Sequence, residues 1–75
     1  MVGRLLTFVN THRVIKAERL LRGSNLEVEV IPTPKDISSE CGMSLVVKEG
    51  EFQRALDILA EAGVEVVSVH EWKRE

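Results

Sequence analysis

The sequence predicts an α+β domain with the element order β-α-β-β-α-β. Three observations carry this reading. Two amphipathic stretches with helical spacing, residues 12–22 and 51–62, are each followed by a glycine, Gly23 and Gly63. Four short runs with strand character stand around them. The two middle runs face each other across a loop that opens with Pro-Thr-Pro and closes with Cys-Gly.

Residues 4–9, Arg-Leu-Leu-Thr-Phe-Val, are apolar on both faces and predict a central strand. Asn10 and Thr11 are good N-cap types for the helix that follows. Within that helix Val14, Ala17, Leu20 and Leu21 form one stripe with Ile15 at its edge, and Gly23 is placed for a left-handed cap. Residues 26–31 alternate, with Leu26, Val28 and Val30 on one side and Glu27 and Glu29 on the other. This is the pattern of an edge strand with one wet face. Pro32 and Pro34 stop it, because proline has no N–H for a ladder. Residues 42–48 form the third strand, with Met43, Leu45 and Val47 on one face. After a turn at residues 49–51, the second helix buries Phe52, Ala55, Leu56 and Leu59. The last strand is expected at residues 64–70, and residues 71–75 are expected as a charged tail around Trp72.

The economical arrangement of these elements is a ferredoxin-like split βαβ, one domain over residues 1–75. Two helices cover one face of a four-stranded antiparallel sheet. Right-handed crossovers place the third strand between the first and second, giving the order 4-1-3-2. Asn10, Thr11 and His12 then share one end of the domain with Cys41, and His70 is expected at the opposite end.

The totals exclude several classes. A net charge of −2 and three aromatic residues argue against general nucleic-acid binding. No apolar run approaches the ~20 residues that cross a bilayer, and the N-terminus lacks the apolar core of a secretory signal. One cysteine forms no internal disulfide, which fits a reducing compartment and points to the cytoplasm. One cysteine and two histidines without a C-x-x-C pair do not make a metal site, and no cofactor motif is present.

Chemistry concentrates in the loop between the middle strands. At about ten residues it is long for a hairpin connection, and long ordered loops on small scaffolds carry function. It holds Cys41, flanked by Ser38, Ser39 and Glu40 before and Gly42 after. The start of the first helix favours an anion such as a thiolate, Glu40 opposes one, and Gly42 permits close backbone approach. Pro32, Thr33 and Pro34 stiffen the approach to the cysteine, with Lys35 next to them. Thr11 and His12 are candidate modulators at the same end, His12 equally a solvent-facing helix residue. The bland alternative makes Cys41 a small buried hydrophobe in a non-catalytic binding or regulatory module. Charge is also split. The first helix carries Arg13, Lys16, Arg19 and Arg22 against Glu18, and the second carries Glu51, Asp57 and Glu61 against Arg54. This reads as two solvated faces or as a docking surface for an acidic partner.

The Pro-x-Pro, Ile-Ser and Cys-Gly elements of residues 31–43 resemble a small-domain family described as selenium/sulfur carrier-like. Phe8, the Thr11-His12 helix start, Ala17-Glu18 and the Ala62-Gly63-Val64 join share in the resemblance, which covers nearly the whole chain. Family members more often have arginine where Lys35 stands and Leu-Ala where Met43-Ser44 stands. The resemblance implies that Cys41 carries sulfur or selenium as a persulfide-type adduct. It also implies protein partners that donate and accept the atom. It leaves open whether the chain is an enzyme, and whether it forms a homodimer.

Overall fold

A computed structural model of the chain describes residues 2–37 and 41–73. The elements are β1 (Val2–Thr7), α1 (Thr11–Gly23), β2 (Val28–Pro32), β3 (Met43–Lys48), α2 (Phe52–Glu61) and β4 (Ser68–Lys73), with a 3-10 turn over Glu49–Glu51 before α2. The strands form one sheet in the order β2-β3-β1-β4, and every neighbouring pair is antiparallel. This is the expected 4-1-3-2 order read from the other edge, with β3 between β1 and β2.

Both helices pack on one face. Leu6, Leu45 and Val47 from the sheet meet Val14, Ala17 and Leu21 of α1 and Ala55 and Leu59 of α2 in one core, which Phe8, Leu26 and Val64 extend. Ile58 joins Phe52 at its margin. The helices do not reach across β4, where Val69 stays 39% exposed although its cross-strand partner Leu6 is fully buried. Arg4 pins the start of α2: its Nε lies 2.8 Å from a Glu49 carboxylate oxygen, and its guanidinium stacks 4.7 Å from the centre of the Phe52 ring.

No helix covers the other face, yet its centre is dry. Leu5, Val46 and Ser44 are fully buried there and Thr7 is 1% exposed. Hydroxyls from the two sheet margins cap this centre. The Thr33 and Ser44 hydroxyls meet at 2.6 Å, the Thr7 and Ser68 hydroxyls pair, and Ser68 Oγ also bonds His70 Nε2 at 2.9 Å. Trp72 stands across from Gly3, whose lack of a side chain is required for a different reason: a Cβ there would collide with the Val47 carbonyl oxygen. Among the described residues, Trp72 Nε1 is buried without an acceptor.

Several boundaries differ from the sequence reading: β1 spans Val2–Thr7 rather than residues 4–9, and β2 starts at Val28 rather than residue 26 and keeps Pro32. β4 begins at Ser68 rather than residue 64 and runs through Trp72 to Lys73, so the expected charged tail is largely strand. His70 therefore pairs with Leu5 in mid-strand, with its ring joined to Ser68, instead of lying at the far end. The valine run at residues 64–67 misled the assignment. Val64 closes the core beside α2, and pairing with β1 starts only where the Val67 N–H reaches the Thr7 carbonyl.

Gly23 stays helical, and the left-handed residue is Asn25, with φ of 65°. Asparagine tolerates that region, so the helix runs one residue further than expected, through Gly23. The Leu26 N–H bonds the Leu21 carbonyl and the Asn25 N–H bonds the Arg22 carbonyl, while Leu26 and Leu21 pack together in the core. α2 ends by the same pattern, with Gly63 at φ 73° and the Val64 N–H on the Leu59 carbonyl.

The start of α1 is capped as expected: Asn10 Oδ1 accepts from the Arg13 N–H at 3.0 Å. Its charges are arranged less favourably. Arg13, Lys16, Arg19 and Arg22 follow one another at i, i+3. Like charges at that spacing each cost about 0.2–0.5 kcal/mol in a helix. Among the described residues only Arg22 is offset, by Glu18 at 3.1 Å. No acid occupies the first turn, where the macrodipole disfavours cations.

Candidate functional site

The connection from β2 to β3 leaves the sheet at the end where β1 ends and α1 begins. β2 stays in register through Pro32, which pairs with Met43. The ladder then gains one more rung, because the Thr33 N–H donates to the Gly42 carbonyl at 2.9 Å. Pro34 opens a turn that its carbonyl closes by accepting from the Ile37 N–H at 3.0 Å, leaving Lys35 and Asp36 exposed at its tip. Ser38, Ser39 and Glu40 lie outside the described residues.

Cys41 follows, partly buried, and packs against the core on the side that also carries Met43 and Leu45. Its Sγ donates to the Met43 carbonyl at 3.0 Å. Gly42, between the two, has φ of 73° and would meet nothing with an added Cβ. Backbone angle rather than space therefore asks for glycine, at a cost of about 1–2 kcal/mol for any other residue. The thiol is thus held by a short local bond inside a loop whose base is tied down by Thr33.

The expected site residues divide into two groups. Pro32 and Thr33 pair across the base of the loop with Met43 and Gly42, and Pro34 and Lys35 form its turn. Thr11 and His12 are exposed at the start of α1, at the same end of the sheet as Cys41. The sequence reading missed the Met43 carbonyl as the partner of the thiol. It also missed the hydroxyls of Thr7, Ser44, Ser68 and Thr33. The signal for Thr7 and Ser44 was available: each is a lone small polar residue inside an otherwise apolar strand.

Among the described residues no group of three or more His, Cys, Asp or Glu side chains is placed to hold a metal ion, and no helix is long and apolar enough to cross a membrane.

Fold and site together define a small α+β domain that presents its one cysteine on a braced loop at the end of the sheet. The family model described as "Putative Se/S carrier protein-like" matches residues 4–71, and the chain belongs to that family. Comparison with curated proteins and with solved structures finds no significant match in either.

Proposed function

We propose that the chain is a carrier of sulfur or selenium and that Cys41 bears the atom. The observation that carries this reading is the setting of the thiol. It is the one cysteine of a member of this family, it is partly accessible, and it stands in a loop braced by the Thr33–Gly42 bond. The Cys41 thiolate attacks the outer sulfur of a donor persulfide, the donor thiolate leaves, and Cys41 becomes the persulfide. An acceptor thiolate then attacks the outer atom and Cys41 leaves as thiolate. The Sγ–H bond to the Met43 carbonyl is one that a thiol makes and a thiolate does not. Loading therefore requires Sγ to release the Met43 carbonyl.

In this reading Pro32, Thr33, Pro34 and Gly42 hold the loop, Lys35 offers a cation at its tip, and Ser38 and Ser39 complete it. Thr11 and His12 modulate the thiol from the start of α1. Donor and acceptor are proteins, the fold is of the ferredoxin-like class, and one cysteine suits a reducing cytoplasm.

A second reading rests on the same bond. A cysteine that packs against the core and donates to a nearby carbonyl is also what a structural residue of a non-catalytic binding module would look like. One experiment separates the two. Native protein is treated with a persulfide donor and weighed. Carrier function predicts a gain of about 32 Da that reductant removes and Cys41→Ala abolishes. A Cys41 that neither loads nor alkylates until the protein is unfolded would leave only the structural role.

A further inference from the structure

We propose that the outward surface of α1 is a docking site for an acidic surface of a partner protein, with Ile15 as an apolar contact at its side. His12, Arg13, Ile15, Lys16, Arg19 and Arg22 are all exposed. At 100° per residue, cations three apart step back across the helix, so Arg13 to Arg22 form a diagonal ridge about 14 Å long over the outward side. Ile15, 41% exposed, lies beside that ridge, one turn before Arg19 on the same side of the helix. A large exposed aliphatic residue next to a row of long cations offers an apolar contact at the side of a charged surface.

Folding does not account for the ridge. Its cations repel one another, no acid stands in the first turn, and Glu18 is committed to Arg22. Among the described residues, no ion pair uses Arg13, Lys16 or Arg19. The concentration also runs against the chain as a whole, which is net negative at −2.

Complementary charge then selects the occupant. A protein surface can place carboxylates along α1 alone. A nucleic acid would carry its phosphates on over the neighbouring α2, where Asp57 and Glu61 are exposed, and would find no Phe, Tyr or Trp on α1 for stacking. Because α1 starts at the Cys41 end, a partner seated along it lies beside the loop, but the docking does not depend on what Cys41 carries.

The test is a titration of the isotopically labelled full chain with an amphipathic peptide of about 15 residues, glutamates flanking one central leucine, followed by amide NMR. A thymidine oligonucleotide of equal charge serves as comparator. The peptide should shift residues 12–22 selectively. Affinity should fall about tenfold in a Lys16→Glu/Arg19→Glu variant, more weakly in Ile15→Ala, and as salt rises. The variants should keep the parent spectrum elsewhere, since all three positions are exposed. Shifts that avoid α1, equal affinity of the charge-reversed variant, or displacement of the peptide by an equal concentration of the oligonucleotide would each overturn the proposal. Sulfur loading of Cys41 is read separately by mass, so failure of the docking surface and failure of the carrier reading are distinct results.

Discussion

The two faces of the sheet are equally dry at their centres and are dried by different means. On one face two helices bury Leu6, Leu45 and Val47. On the other face no helix or strand among the described residues covers Leu5 and Val46, whose strands are flanked by His70 and Trp72 on one edge strand and Glu29 and Ile31 on the other. The first solution is rigid because whole elements would have to move to expose it. The second relies on side chains and hydroxyl pairs, so small changes should be absorbed locally.

The largest contrast should come from paired truncations. Leu45→Ala is expected to cost about 2–5 kcal/mol, because α1 and α2 cannot collapse into the space. Leu5→Ala should fall at or below the low end of that range, since neighbouring side chains can settle inward. Urea denaturation of both variants checks this, and equal losses would mean that the open face is packed as tightly as the helical one. Gly3→Ala strikes the backbone both faces share. Its Cβ would push the Val47 carbonyl and part β1 from β3, for a loss of about 1–3 kcal/mol visible as a lowered Tm. Removing the open face's polar seal should do less. Thr7→Val or Ser44→Ala is expected to cost about 1 kcal/mol each, with slower amide exchange retained on the helical side.

The smallest effect concerns the rim. Lys48 Nζ lies 2.9 Å from a Glu27 carboxylate oxygen, and that hydrogen bond and charge raise the lysine above its ordinary pKa. The fold thus favours the protonated form. Its contribution is complete below the unfolded value of about 10.4 and fades as pH rises through the higher folded value. Stability curves of the parent and Lys48→Met should therefore converge in that alkaline window, and a constant gap across it would remove the ion pair from the account.

Much of this was legible beforehand because burial imposes period. The stripe Val14–Ala17–Leu21 and the alternation of β3 specify which faces meet, and Asn10 and Gly63 mark ends by their own chemistry. The β4 boundaries were not legible. The run at residues 64–67 has strand composition but serves the core edge, and only pairing with β1 decides where the ladder begins. The site was half legible. A single cysteine before a glycine in a long loop stands out, whereas its bond to the Met43 carbonyl depends on a backbone angle that composition does not encode. The hydroxyl pairs are long-range, Thr7 with Ser68 across 61 residues, and follow from register rather than from any local signal.

The lone tryptophan gives the open face a voice of its own. With no tyrosine in the chain, near-ultraviolet emission comes from Trp72, whose indole nitrogen is shut away from solvent across from Gly3. Its colour and quenching will therefore follow β4 and the uncovered side of the sheet, and a partner or second copy that settles there will announce itself without a label. Events at the opposite face, and movement of the Cys41 loop at the far end of the sheet, will pass this natural lamp unseen and call for a dye or an isotope.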